Sequence, residues 1–380
     1  MNYHIFTFDP KKEKKSIIDS FSEFLKKEKI DTKKISLSLV FGSMSILDAK
    51  IVEDIYKKTD NANMLGCSTG GEIYNESLEG TLLIILFEGF EKVQTKGILI
   101  EDKKCFENAE KLGKYLKNFG ESSIGFVFSS GLIAESEDIL RGLQKQLGKN
   151  TKLFGGFAGD DGKFSKTLQI VDGKIFEKGL VIALIKTKNQ INIAWEHGFA
   201  PLGMGRKVTK IKDGKLVSIE DKSTLDFYRD YLEEEQVLQM PLLGHHYPLG
   251  IKKKNSENIL IRAVFDADHQ DGSCVIRGTK CKEGDTAYVL LGQKKKVLKR
   301  AVKAASTAKS GIKKPKLALI INCFGRKMVY KDDYKKEINE IKNEIGDIPL
   351  VGLYGYGEIS PVNGQSEYHN LTTNILVFGE

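Results

Sequence analysis

The chain has 380 residues, more than one hydrophobic core usually supports, so two or three domains are expected. Hydrophobic residues make up 41% and charged residues 29%, as in ordinary soluble globular proteins, which argues against disorder over most of the length. The formal net charge of +8 comes largely from lysines scattered along predicted helices. Because no nucleic-acid motif or interleaved aromatic residues accompany these lysines, we expect a solvated surface and no nucleic-acid partner.

The cysteines and the N-terminus predict a cytoplasmic protein. The five cysteines are odd in number and never at CxxC spacing, which argues against a disulfide framework and a structural zinc site. The N-terminus lacks the basic and apolar segments of a secretory signal, and no apolar stretch reaches the roughly 18 residues that span a bilayer. We therefore expect a cytoplasmic location, no membrane span and no bound metal.

A unit of strand, helix, glycine-rich turn and strand occurs three times along the chain. In the first unit, short apolar runs predict strands at 35–41 and 82–87, and apolar residues at three-to-four spacing predict a helix at 47–58. A turn rich in glycine precedes Glu72, which lies six positions after Gly66.

The second unit repeats this order of elements. Its strand, helix, turn and closing strands are predicted at 124–128, 136–147, 153–161, 167–171 and 180–185. The acidic residue after its glycines is Asp160 or Asp161, so the alignment of this turn with the first one is open by one residue.

A different region follows the second unit. Turn pairs at Asp213-Gly214 and Asp271-Gly272, and the triplet at 283–285, predict hairpins between short strands. Helices are predicted at 223–238 and 296–307. The change of pattern places a domain boundary near residue 220.

The third unit has predicted elements at 317–321, 333–345, 350–359 and 372–378. Glu358 lies six positions after Gly352, as Glu72 does after Gly66. We therefore predict an α/β, or mixed α+β, fold of repeated strand-helix-strand units in two layered domains. Residues 1–220 hold two units, and residues 221–380 hold the hairpin region and the third unit.

The glycine-rich turns have two interpretations. Glycine lets a ligand approach the backbone closely, and successive N–H groups in such a turn can bind an anion. The alternative is that the glycines only make tight turns while Glu72 and Glu358 cap helices or face solvent. None of the turns has the lysine of a P-loop or the spacing of a dinucleotide-binding motif, so nucleotide binding is not supported.

Arg326 and Glu358 follow two strands that we expect to be neighbours in a parallel sheet, so their side chains would meet at one edge. An arginine holds a carboxylate and a glutamate holds an ammonium group, which together would suit an amino acid or another small zwitterion. The same two residues could instead form a salt bridge with each other.

The reactive side chains give two further alternatives. Cys67 and Cys323 are either buried structural thiols or nucleophiles of a cysteine-dependent hydrolase or transferase. His245 and His246 either lie in a surface loop or supply a ligand to haem or a metal. Because no known hydrolase or metalloprotease motif stands in a confirming context, we do not expect an enzyme.

Motifs along nearly the whole chain, from about residue 35 to 378, resemble one family. The segments 66–73, 155–160, 206–209 and 225–228 resemble the N-terminal FIST domain. The resemblance to the C-terminal FIST domain lies in segments 260–262, 283–284, 355–361 and 369–372, together with Cys323 and Arg326.

The resemblance implies a stand-alone bacterial sensory protein that binds a small ligand, such as an amino acid or a similar metabolite. It would signal in trans to a partner such as a histidine kinase, a cyclase or a chemoreceptor, because the chain leaves no room for an output module. No cofactor is expected. Some members that resemble this family bind haem, so the alternative is a haem-binding nitric oxide sensor that regulates a histidine kinase or a cyclic-di-GMP enzyme, with His245 or His246 as ligand.

The predicted ligand-binding residues lie in the glycine-rich turns, after the first strand of the third unit and at one arginine of the C-terminal pattern. They are Cys67, Ser68, Thr69, Gly71, Glu72, Gly156, Asp160, Arg262, Cys323, Arg326, Tyr354, Gly357 and Glu358.

Overall fold

A computed structural model of the chain describes residues 1–133, 135–148, 151–254, 259–278 and 281–380. The first unit has two helices and six strands. In chain order these are β1 (Asn2–Phe8), α1 (Ile17–Lys27), β2 (Ile35–Gly42), α2 (Ala49–Lys58), β3 (Met64–Ser68), β4 (Glu72–Tyr74), β5 (Ser77–Leu78) and β6 (Leu82–Glu88).

The second unit has the same order of elements. They are β7 (Lys92–Leu99), α3 (Cys105–Leu116), β8 (Ile124–Ser129), α4 (Ser136–Leu147), β9 (Leu153–Phe157), β10 (Gln169–Val171), β11 (Lys174–Phe176) and β12 (Gly179–Lys186).

The third unit starts with β13 (Gln190–Glu196) and is then interrupted by a largely antiparallel insertion. The insertion contains β14 (Ala200–Pro201), β15 (Arg206–Lys212), β16 (Lys215–Ile219), β17 (Lys222–Ser223), α5 (Thr224–Arg229), α6 (Glu234–Leu238), β18 (Leu249–Lys252), β19 (Ile259–Arg262), β20 (Val264–Ala267), β21 (Cys274–Ile276) and β22 (Thr286–Leu291). The third unit then resumes with α7 (Lys294–Lys309), β23 (Pro315–Cys323), α8 (Phe324–Tyr330), α9 (Tyr334–Ile345), β24 (Leu350–Gly355), β25 (Glu358–Val362), β26 (Gln365–His369) and β27 (Thr373–Gly379).

The three units form three sheets of one design. In each sheet two central strands are parallel, namely β2 with β3, β8 with β9, and β23 with β24. The closing strand and the edge strand run antiparallel beside them, in the orders β1-β6-β2-β3, β7-β12-β8-β9 and β13-β27-β23-β24. The predicted repeat is therefore confirmed, and it extends to an edge strand and a hairpin in every unit.

Each unit gives its hairpin to a neighbour. The hairpin β4–β5 of the first unit pairs with β24 of the third, β10–β11 of the second pairs with β3 of the first, and β25–β26 of the third pairs with β9 of the second. Because the exchange passes once around all three units, backbone hydrogen bonds link them in a closed ring.

The inner faces of the three sheets share one core. Phe41, Phe128 and Phe378, one from each sheet, belong to the same buried cluster, and the rings of Phe41 and Phe128 are 5.3 Å apart. Helices cover the outer faces, and the central strands are therefore buried on both sides, which accounts for their nearly continuous apolar sequences.

One glycine in each unit is required by close strand packing. A Cβ atom at Gly66, Gly155 or Gly352 would lie 1.9, 2.0 or 1.8 Å from a carbonyl oxygen of the parallel neighbouring strand. These glycines begin the motifs that recur in the sequence, so their recurrence has a structural cause that does not involve a ligand.

Two predictions within the insertion are wrong. The helix predicted at 223–238 is two helices, α5 and α6. The backbone N–H of Glu233 donates to the Gln236 side chain, and this capping interaction marks the start of α6. The turn at 283–285 does not join a hairpin, because β21 pairs with β16 and β20 whereas β22 pairs with β14, β15 and β18. The hairpin at Asp213-Gly214 is confirmed.

The mixed α+β class is confirmed, and the boundary near residue 220 stays a prediction. Strand pairing joins β13 to β27 of the third unit and β14–β17 to the inserted sheet. Within the part of the chain that the structure describes, no helix is long and apolar enough to cross a membrane.

Candidate functional site

The residues that begin the three exchanged hairpins occupy equivalent positions. Glu72, Gln169 and Glu358 are the first residues of β4, β10 and β25, and each accepts a backbone N–H from the start of the closing strand, at 3.2, 2.6 and 3.1 Å. The second unit thus has a glutamine where the other two have an acid. The prediction of Asp160 or Asp161 for this position is wrong, because an eleven-residue connection at 158–168 separates β9 from β10.

Glu72 is a buried side chain that joins neighbouring strands. It accepts hydrogen bonds from the hydroxyls of Thr69 and Thr81, and Thr69 also accepts the Gly71 N–H. Burial raises the pKa of Glu72 to about 7, although the hydrogen bonds from the two threonines act in the opposite direction. This arrangement holds the first turn together and presents no free carboxylate to a ligand.

Glu358 is fully buried beside Cys323. One carboxyl oxygen accepts from the N–H and hydroxyl of Thr372, and the other accepts no hydrogen bond from the described residues. Burial raises the pKa of Glu358 to about 8, so the carboxyl is mostly protonated at neutral pH. Burial and the nearby Glu358 also raise the pKa of the Cys323 thiol well above its usual value.

Arg326 is fully buried, and all five of its N–H donors are used. The guanidinium group forms an ion pair with Glu337 of α9 and donates to the carbonyl oxygens of His197, Leu371 and Val297. No donor remains for a ligand carboxylate. The predicted zwitterion clamp of Arg326 and Glu358 is therefore wrong, and so is the alternative salt bridge between them.

Asp160 organises the long loop of the second unit. Its carboxylate accepts from the Tyr356 hydroxyl and from the backbone N–H groups of Phe164, Ser165 and Lys166. Burial alone would raise the pKa of Asp160, but these hydrogen bonds outweigh it and hold the pKa below its usual value. The loop places the Phe164 ring on the Tyr356 ring, with centroids 4.4 Å apart.

Arg262 joins the insertion to the ring of units. Its guanidinium pairs with Glu137, donates to the carbonyl oxygens of Ile261 and Tyr368, and lies over the Tyr368 ring. The side chain is fully buried and its charge is balanced by Glu137.

The other predicted ligand-binding residues lie where units meet. Ser68 bonds the carbonyl of Gly159 and the N–H of Leu168, and the Tyr354 hydroxyl bonds Ser77. Gly156 and Gly357 are glycines without side chains, and they lie where β25 pairs with β9. Cys67 is buried in the shared core, and burial raises the pKa of its thiol well above the usual value.

An apolar cavity of about 240 Å³ opens between the long loop of the second unit, the third unit and the insertion. Its walls combine aromatic and aliphatic side chains with a few polar groups, namely Phe164, Pro241, Leu242, His245, Ala263, Val264, Phe265, Arg277, Cys323, Phe324, Gly325, Met328, Tyr356, Asn370 and Leu371. Of the thirteen residues predicted for ligand binding, only Cys323 is in this lining. The cavity is the candidate ligand site.

The sequence offered signals for part of this lining. Tyr356 and Asn370 stand inside the motifs that resemble the C-terminal FIST domain, although neither was predicted to bind a ligand. Arg277 and Phe164 had no local signal, because long-range folding alone brings them to the cavity.

The polar groups of the cavity are mostly held in place by the protein. The Asn370 side chain accepts the Ala263 N–H and donates to the Tyr368 hydroxyl. Burial lowers the pKa of His245, which is therefore neutral at pH 7. Arg277 donates to the Gly131 carbonyl and lies over the Phe265 ring at 4.4 Å.

The haem alternative stays a prediction. His245 is in the lining and His246 is not, so one imidazole is available as an axial ligand. The cavity volume of about 240 Å³ is below the roughly 300–1,000 Å³ of most cofactor and small-molecule pockets.

Two family models match the chain in tandem. The FIST N domain matches residues 36–222, and the FIST C domain matches residues 224–361. An uncharacterized protein of Methanocaldococcus jannaschii is 24% identical over an alignment that covers 90% of this chain and 73% of that protein. Uncharacterized proteins of two Mycobacterium tuberculosis strains are also 24% identical, over 60% of this chain and 61% of theirs.

A crystal structure of a chorismatase aligns over 100% of this chain and 98% of its own, with a TM-score of 0.36 and 7% identity. A similarity at this level carries no conclusion about the fold or the activity of this chain. The two tandem matches extend from residue 36 to residue 361, and FIST domains are in general sensory domains for small ligands. The chain belongs to the FIST family.

Proposed function

We propose that this protein is a sensor that binds a small metabolite in the cavity and signals to a partner protein in trans. The observation that carries the proposal is the position of the cavity, whose walls come from the second unit, the third unit and the insertion. A ligand there contacts all three at once. Its binding energy can therefore favour one arrangement of the insertion relative to the ring, which is what a sensor requires.

The chemistry of the walls supports a partly apolar ligand. Phe164, Phe324 and Tyr356 form one aromatic cluster, with centroids 4.4 to 6.2 Å apart. A few polar groups among apolar walls are typical of small-molecule sites, where they fix the orientation of the ligand. Because burial raises the pKa of both Cys67 and Cys323, neither thiol has the thiolate character of a nucleophile, which supports a sensor over a cysteine-dependent enzyme.

A thermal-shift screen over small metabolites tests the proposal. A ligand at one hundred times its dissociation constant stabilises the native state by about 2.7 kcal/mol, which raises the unfolding midpoint. The variant Ala263→Leu fills the cavity from its wall and should abolish the rise. Ala267→Leu is the matched control, because Ala267 lies on β20, four residues after Ala263 and outside the cavity lining, and this variant should respond as the wild type does.

A compound that stabilises the wild type and Ala263→Leu equally would show that the cavity is not the site. The haem alternative is tested separately by a visible spectrum of protein produced with haem supplied. A Soret band that depends on His245 would support the haem alternative over a small metabolite.

A further inference from the structure

Three arginines are almost fully buried in the described part of the chain, and one of them differs from the other two. Arg262 is paired with Glu137 and Arg326 with Glu337. Arg277, only 6% exposed, forms no ion pair with any described carboxylate. Its guanidinium group donates to the carbonyl oxygen of Gly131 and has the uncharged Tyr368 hydroxyl as a further neighbour.

No carboxylate among the described residues compensates the charge of Arg277. Burial lowers the pKa of Arg277, but a guanidinium group remains charged in proteins. The Phe265 ring below it gives only a partial electrostatic balance. A buried charge without a partner is unfavourable, and a group that brings an anion to this point would relieve that cost.

The rest of the lining gives no matching site for a cation. No Asp or Glu is among the described lining residues, and His245 is neutral at pH 7. The Asp160 carboxylate, which contacts Tyr356, is already occupied by the loop N–H groups. An ammonium group in the cavity would therefore lose its hydration without gaining an anionic partner.

We propose that the cavity recognises a small aromatic or branched apolar monocarboxylate, whose acid group pairs with Arg277 and whose body packs on Phe164, Phe324 and Tyr356. An arginine fork matches a carboxylate in a bidentate manner, which fixes the position of the acid group. This inference rests on the proposed function and narrows its ligand to acids that lack an ammonium group. Zwitterionic amino acids are excluded as the preferred ligands.

Four probes that form two size-matched pairs, phenylacetate with phenylacetamide and phenylpyruvate with L-phenylalanine, test the inference by calorimetry on the full chain. We expect both ammonium-free carboxylates to bind about ten- to a hundredfold more tightly than the amide, because charged hydrogen bonds are stronger than neutral ones. L-phenylalanine should bind more weakly than phenylpyruvate.

The variant Arg277→Gln should remove the difference between phenylacetate and phenylacetamide and leave amide binding nearly unchanged. Arg141→Gln is the control, because Arg141 is itself exposed, pairs with Asp138 outside the cavity lining and should keep the wild-type preference. If Arg277→Gln does not fold, the comparison of acid with amide on the wild type still decides the question.

Equal binding of acid and amide would overturn the inference, and so would tighter binding of L-phenylalanine than of phenylpyruvate. Absence of binding by all four probes would overturn this ligand class. These failures are distinct from failure of the proposed function, which stands as long as some metabolite stabilises the wild type and not Ala263→Leu.

Discussion

At the scale of single residues, the buried ionisable groups other than Arg277 are stabilised in two ways. Arg262 and Arg326 are each paired with a glutamate, whereas burial raises the pKa of Glu72 and of Glu358, which accept hydrogen bonds from threonine hydroxyls. The first arrangement fixes elements rigidly to one another. The second makes stability depend on pH.

The buried ion pair of Arg326 and Glu337 predicts a large loss of stability when one partner is removed. In Arg326→Met the carboxylate of Glu337 stays buried without its cation, so the free energy of unfolding should fall by about 3–5 kcal/mol. Denaturant unfolding measures this loss. Arg300→Met is the control, because Arg300 is half exposed and its pairing with Glu196 should contribute at most about 1 kcal/mol. Equal effects of the two substitutions would contradict the structural role of Arg326.

The raised pKa of Glu358 predicts that stability falls as pH rises. The carboxyl has a pKa of about 8 in the folded protein and its ordinary value of 4.5 when unfolded, so the native state binds the proton more tightly. Its stabilising contribution is complete below pH 4.5 and is lost as the pH rises to about 8. The slope can reach about 1.4 kcal/mol per pH unit within this window.

Glu358→Gln should remove much of this slope, because the amide cannot ionise. Gln169 already occupies the equivalent position of the second unit, so the fold accepts glutamine there. Unfolding curves at several pH values between 5 and 8 give the comparison with the wild type. An unchanged slope in the variant would show that Glu358 is ionised in the native state.

At the scale of elements, the sequence predicts what is local. The helix at 136–147 agrees with α4 residue for residue, and the central strands agree within a few residues, because apolar spacing determines both. Edge strands such as β7 were not predicted. β7 is partly exposed along its length and has no continuous apolar run, so it resembles a loop in the sequence.

The exchange of hairpins could not be predicted for a different reason. The sequence shows that a strand follows each turn, but the sheet that this strand joins depends on contacts between units. The same limit applies to the site. The Arg326–Glu358 hypothesis was based on adjacent strand ends, which are indeed adjacent, but α8 directs Arg326 to Glu337 and β25 carries Glu358 into the neighbouring sheet.

The close approach of the central strands predicts that alanine substitutions at different glycines have very different effects on stability. In Gly352→Ala the new Cβ would lie 1.8 Å from the Ile320 carbonyl oxygen, so we expect a loss of more than about 3 kcal/mol or failure to fold. In Gly364→Ala the new Cβ meets open space. Only the left-handed backbone conformation disfavours alanine there, so we expect a loss of stability of about 1 kcal/mol. Thermal and denaturant unfolding compare the two. A mild effect of Gly352→Ala would mean that the parallel strands are farther apart than described.

At the scale of the whole molecule, one insertion breaks the threefold repetition. The glycine-rich turns of the three units touch one another, for example through the Gly70 N–H to the Tyr354 carbonyl and the Phe157 N–H to the Gly357 carbonyl, both at 2.8 Å. The insertion lies over one part of this meeting point, and the cavity forms there. A repeated scaffold thereby carries an asymmetric cavity, which is the candidate ligand site.

Native mass spectrometry of the protein as purified from cells tests the central claim most directly, because a retained ligand reports its own mass. The account predicts that the wild type carries one small molecule, that Ala263→Leu does not, and that the released compound is an acid. A bound molecule with the mass of haem, or a small molecule that Ala263→Leu retains as well as the wild type does, would contradict the account.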